Sequence, residues 1–152
     1  MSPKRARFGL DSSCIIALLS EWHIHHRATL NCYEHYLANG AVPVIPVHAI
    51  LESFSVLTRL PATYRIPPEV ARQALEQSFT AAILTGLTAD TVWRTIDALS
   101  HRGLGGGRVY DAVIADSVAG AGGTVLLTWN VRDFVPIAPS ALEIREPASR
   151  PS

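Results

Sequence analysis

Apolar positions along the chain fall into two patterns, short unbroken runs and longer stripes at helical spacing. "RFGLD", residues 7–11, reads as a short strand ending in an acid. "SSCIIALLSEW" follows with two N-cap candidates and reads as a helix. "HHRATLNCYEHYLANG" keeps helical periodicity and stops at Asn39-Gly40. "AVPVIP" predicts a short strand, because proline removes ladder donors. "VHAILESFSVLTRL" predicts an amphipathic helix closed by Pro61, with Ile50, Phe54 and Leu57 facing the core. "PATYRI" reads as a loop, and Pro67-Pro68 opens a helix running to about Gln77.

A further helix is expected over Thr88–His101, followed by a flexible "RGLGGGR" loop. The late part predicts a helix from about Val109 to Ala121, a Gly122-Gly123 turn, a strand "TVLLT", a loop "TWNVRDF" and a last strand "LEIRE". Strands separated by helices predict a three-layer α/β fold with a mainly parallel central sheet flanked by helices. One domain is expected over residues 1–146, with 147–152 ("PASRPS") as a flexible tail.

At 152 residues and 48% apolar content, one domain with a substantial core is expected. Runs such as "CIIALL" are too short to cross a bilayer. The basic start "MSPKRARFGLDSS" carries neither a long apolar segment nor a small-residue cleavage site, so no secretory leader is expected. Cys14 and Cys32 lack metal-type spacing and read as small core residues of a cytoplasmic protein. Net charge is zero, so bulk electrostatics announces no nucleic acid; all cationic side chains but Lys4 are arginine. Arginine suits phosphate and carboxylate recognition, although a coding bias explains the preference equally well.

The acids are placed more tellingly than they are numbered. Asp11 directly follows the first strand, and Asn130 and Asp133 follow the strand "TVLLT". In open parallel sheets, functional groups gather beyond the carboxyl ends of strands. Glu52 shares a helix face with His48, Ala49, Ser55, Val56 and Arg59; a solvated stripe with Arg59 as partner explains it at least as readily as a site. Asp111 heads an otherwise small and apolar helix face, where capping by the helix dipole is a real alternative. Asp116 is turned about 140° from Asp111 around that helix, so the two do not share one ligand. Three or four carboxylates brought together repel one another, and a hard divalent cation such as magnesium or manganese would relieve the conflict. Metal-assisted phosphodiester hydrolysis is the reaction such a cluster would suit.

Other chemistry fits less well. "GLGGGR" follows a helix and lacks the lysine and hydroxyl of a phosphate loop. "HIHH", residues 23–26, lacks a second ligand set and reads as surface or packing histidines. A receiver domain needs a late lysine, and an aspartyl-phosphate phosphatase needs Asp-x-Asp; here Asp11 is followed by Ser12-Ser13.

Three segments in order carry a resemblance: "GLDSS", "LESFSVLTRLPATYRIPP" and "GGGRVYDAVIADSVAGAGGTVLLTWNVRDF". Together they resemble PIN-domain ribonucleases, specifically VapC toxins of type II toxin–antitoxin pairs, across nearly the whole chain. The resemblance implies a PIN-like fold and a magnesium- or manganese-dependent endoribonuclease, often dimeric, inhibited by a VapB-type antitoxin. It implies Asp11, Glu52 and Asp111 as the first three acids. The fourth lies in the "TWNVRDF" loop, where Asn130 has the register and Asp133 the charge. Thr128, Ser12, Asn130 and Asp116 are expected to line the site, and Arg59, Arg102 and Arg108 to contact RNA phosphates. A PIN-like module that binds RNA or a partner without cleaving is the alternative.

Overall fold

The computed structural model describes residues 4–148. Five strands are formed: β1 (Arg7–Leu10), β2 (Val42–Pro46), β3 (Ile83–Thr85), β4 (Val125–Leu127) and β5 (Glu143–Arg145). Seven helices connect them: α1 (Ser12–Leu19), α2 (His26–Ala38), α3 (Val47–Arg59), α4 (Pro68–Ser78), α5 (Ala89–His101), α6 (Arg108–Gly120) and α7 (Val131–Phe134). Every pairing is parallel, and the sheet order is β3-β2-β1-β4-β5. α1 packs on α2 and α3, α3 on α4, and α6 on both α5 and α7.

This order places a topological switch between β1 and β4. The chain proceeds from β1 outward through β2 to β3, then returns to the other side of β1 as β4. At such a point the connections leaving the two strand ends diverge and open a crevice. The carboxyl end of β1 carries Asp11, and that of β4 carries Thr128. The register Leu10↔Leu127 puts the two side by side.

Depth is set by a close approach of α6 to the sheet. A Cβ on Gly9 would lie 2.4 Å from Val118 Cγ2, and a Cβ on Gly123 would lie 2.4 Å from Val118 Cγ1. Only glycine at both places lets Val118 sit this low. With Val118 fixed, the first turn of α6 is fixed too, and Asp111 belongs to that turn. Gly122 closes the turn into β4 with φ of 78°, in the left-handed region that favours glycine.

The core runs through the molecule as one cluster, from Phe8, Leu10 and Ile15 through Val44 and Ile45 to Ile114, Leu126 and Phe134. Cys14 and Cys32 are buried free thiols within it.

The sequence expectations differ from the fold in four places. "ILT" forms the edge strand β3, which the hydrophobic pattern does not single out. The "TWNVRDF" loop contains the single helical turn α7. The buried face of α3 is Ala49, Ser53 and Leu57, so Ala49 is a core residue and not part of the polar stripe; Ile50 and Phe54 are half-buried against the core. Pro147 and Ala148, placed in the expected tail, form a turn in which Pro147 is buried. The rest of that expected tail, 149–152, lies outside the described residues.

Candidate metal centre

Asp11 is the most tightly held acid of the site. It caps α1, with Oδ1 accepting from the Cys14 amide at 3.0 Å and from Ser13 Oγ at 2.7 Å. Its other oxygen, Oδ2, accepts from Thr128 Oγ1 at 2.6 Å. Three donors to a side chain only 2% exposed answer part of the cost of burying a carboxylate. Burial still prevails and raises its pKa, against the lowering effect of Thr128, Ser13 and Cys14.

Those donors are anchored in turn. Thr128 Oγ1 accepts from the Asn130 amide at 2.9 Å, and Ser13 Oγ accepts from the Trp129 amide at 3.0 Å. The Asp11 amide itself donates to Leu127 O at 3.2 Å. The ends of β1 and β4 are therefore laced together across the switch point, and the loop after β4 takes its shape from the same hydroxyls that hold Asp11.

Glu52 reaches the site from the second turn of α3. Ser12 Oγ donates to its Oε1. His48, one turn back, places Nε2 3.6 Å from Glu52 Oε2, an ion pair when the imidazole is protonated. His48 also stacks on Tyr110, with ring centroids 5.1 Å apart and planes 5° from parallel. That stack joins α3 to α6 beside Asp111.

Asp111, half-buried, has its pKa pushed up to about 6. Desolvation is the main cause, followed by the charges of Asp133, Glu52 and Asp11, while Arg108 opposes them. Asp111 therefore lies within electrostatic reach of each of the three other acids. Asp133, exposed on α7, is the strongest of those repulsive charges. Asn130 contributes its backbone, taking Thr128 Oγ1 through its amide and the Asp133 amide through its carbonyl.

Among the described residues, no group of three His, Cys, Asp or Glu side chains is posed to hold a metal ion as it stands. Glu52 is turned toward Ser12 and His48. The donor set nevertheless suits a hard divalent cation: four carboxylates, no thiolate, and a mutual repulsion that one positive ion would relieve.

The remaining expected residues are placed as follows. Asp116 faces away: Thr95 Oγ1 donates to its Oδ2 at 2.6 Å. It lines a separate cleft of about 400 Å³ with Thr85, Thr91 and Arg94. Arg108 begins α6 near Asp111, Arg59 is exposed in the last turn of α3, and Arg102 donates to the Pro136 carbonyl. Ser13 and Tyr110 are site neighbours that the sequence does not single out, while His48 is legible only as a neighbour of Glu52 on its helix face. His48 precedes Glu52 by one helical turn and Tyr110 adjoins Asp111, but only the meeting of α3 with α6 makes them a pair.

Comparison with known proteins matches this architecture. Residues 9–135 match the PIN domain family. Ribonuclease VapC40 of Mycobacterium tuberculosis is 35% identical over 122 residues, covering 80% of this chain and 85% of that protein. VapBC2 from Rickettsia felis, solved bound to a DNA fragment from its promoter, superposes with a TM-score of 0.66 at 15% identity, covering 92% and 98% of the two chains. The sarcin-ricin loop cleaving toxin VapC20 of M. tuberculosis superposes with a TM-score of 0.61 at 17% identity, covering 78% and 86%.

Proposed function

The chain belongs to the PIN-domain family, among the VapC ribonucleases, and from that premise we propose that it is a metal-dependent endoribonuclease toxin. The carrying observation is the position of Asp111, whose carboxyl is pushed up to about 6 by burial and by three neighbouring acids. A carboxylate group built to repel itself is costly to keep unless a cation completes it.

Asp11, Glu52, Asp111 and Asp133 would hold magnesium or manganese. The bound ion would activate water and neutralise charge building on the phosphoryl oxygens. Thr128, Ser13 and the Cys14 amide orient Asp11 and offset part of the cost of its burial. Ser12 and His48 orient Glu52. Arg108, which already lowers the pKa of Asp111, is positioned to meet a substrate phosphate.

RNA is the proposed substrate, and a VapB-type antitoxin is the proposed partner, as in the VapBC complexes of the same fold. A homodimer belongs to the same reading, supported by Val92, Trp93 and Ile96 exposed together on α5. No helix among the described residues is long and apolar enough to cross a membrane, and the reading places the enzyme with its RNA in the cytoplasm.

The test is cleavage of a structured RNA pool by antitoxin-free protein, with Mg²⁺ or Mn²⁺ and with EDTA, beside Asp11→Asn. Cuts that need metal and vanish in the variant support the reading. RNA binding without cleavage across a broad panel would replace it with a non-cleaving module.

A further inference from the structure

A chain of aromatic rings leads away from the acids and takes no part in the site described above. Trp129, next to Thr128, stacks on His25 with centroids 3.7 Å apart and planes 9° from parallel. His25 lies 5.6 Å from His23, and His23 lies 5.6 Å from Trp22. Trp22 ends against Tyr64 at 4.3 Å. Five rings from three separate segments thus form a continuous ladder, stacked at its inner pair and tilted by 44°, 49° and 32° at the successive steps outward.

Its inner end is fixed to the catalytic framework. The Trp129 amide donates to Ser13 Oγ, which donates to Asp11, and Trp129 Nε1 donates to Thr29 Oγ1 at 2.8 Å. Its outer end is open: Trp22 is 47% exposed and Tyr64 43%. Exposed rings of this size are not core packing, and the histidines among them hold no metal group with other ligands among the described residues. Arginines neighbour the ladder residues along the chain: Arg27 follows His26, Arg65 follows Tyr64 and donates to the Leu60 carbonyl, and Arg59 ends the helix before it, with Glu21 the acid in the same stretches.

We propose that this ladder is a base-stacking track for single-stranded RNA, holding nucleotides on one side of the bond to be cut. The inference rests on the reading that RNA is the substrate. Successive bases stack on exposed aromatic faces irrespective of sequence, while flanking arginines meet the phosphates. A protein segment could also cover such rings, but it would not need arginines beside them along the chain or an inner end tied to Asp11. Trp22 and Tyr64 are substrate-positioning residues, remote from the reacting phosphate.

The test is fluorescence anisotropy with a labelled ten-nucleotide oligoribonucleotide and its counterpart bearing two adjacent abasic sites. The full chain is titrated in EDTA, where metal-dependent cleavage is off. Wild type is expected to bind the intact RNA about tenfold more tightly than the abasic one. Trp22→Ala and Tyr64→Ala are each expected to lose about tenfold on intact RNA and to erase most of that difference, with Trp22→Phe restoring it. Unfolding midpoints of all variants establish that they are folded. Equal binding of intact and abasic RNA by wild type, or unchanged discrimination in both folded alanine variants, overturns the track. Loss of antitoxin binding in the variants with RNA binding intact overturns it in favour of a protein-docking surface. Cleavage with Mn²⁺ is measured separately: base-dependent binding without cleavage removes the nuclease reading and leaves the track standing.

Discussion

Asp111→Asn is expected to stabilise the metal-free protein near neutral pH, although it damages the proposed site. The carboxyl is raised from 3.8 to about 6 in the folded state. A group raised in this way leaves stability intact below its unfolded pKa and withdraws it as pH climbs through the folded pKa. The shift of about two units corresponds to at most about 3 kcal/mol. Asp111 is only half-buried, so solvent screening reduces this to about 1–2 kcal/mol. Its place in the first turn of α6 returns a few tenths of a kcal/mol to the charged form. The net expectation is about 1 kcal/mol of added stability for the variant at about pH 7.5, falling to about a third of that at about pH 4.5 and vanishing only below the unfolded pKa. Urea unfolding in EDTA at both pH values measures it. Millimolar Mn²⁺ should then reverse the order by stabilising wild type alone. A variant less stable than wild type at the higher pH, or a gap that ignores pH, refutes the picture of a self-repelling carboxylate cluster.

Three further outcomes follow from the same geometry. Thr128→Val removes the donor to Asp11 Oδ2 and should cost about 1–3 kcal/mol in urea unfolding, raise the Asp11 pKa further and weaken Mn²⁺ binding, while Thr128→Ser retains most of each. Gly9→Ala drives a Cβ into Val118 and should cost about 1–3 kcal/mol, and adding Val118→Ala should recover part of that loss in a double-mutant cycle. Asp116→Asn should leave Mn²⁺ affinity in calorimetry unchanged, because its carboxylate is engaged with Thr95 on the far side of α6.

Much of the architecture can be read from the sequence, because its strands and helices differ in period and are punctuated by Gly and Pro. β3 escapes because it is a three-residue edge strand whose Leu84 is 55% exposed, leaving no alternation to detect. The α7 turn escapes because four residues carry no period. The boundary face of α3 misleads through Ala49 and Ser53, small residues that the close approach of neighbouring elements buries. The acids were legible because each stands at the end of a strand or in an early turn of a helix. Their partners were not: Ser12 with Glu52 requires α1 to meet α3, and His48 with Tyr110 requires α3 to meet α6. Between Asn130 and Asp133, the sequence offers register against charge; the fold places Asp133 as the charge that acts most strongly on Asp111.

Binding of Mn²⁺, followed by calorimetry on antitoxin-free protein and paired with RNA cleavage in the same samples, tests the shared carboxylate site most directly. Wild type should bind the ion and cleave. Asp11→Asn, Glu52→Gln and Asp111→Asn should each lose at least about tenfold in affinity, with cleavage falling in step. Undiminished Mn²⁺ binding in all three folded variants, or cleavage by wild type that persists in EDTA, would contradict it.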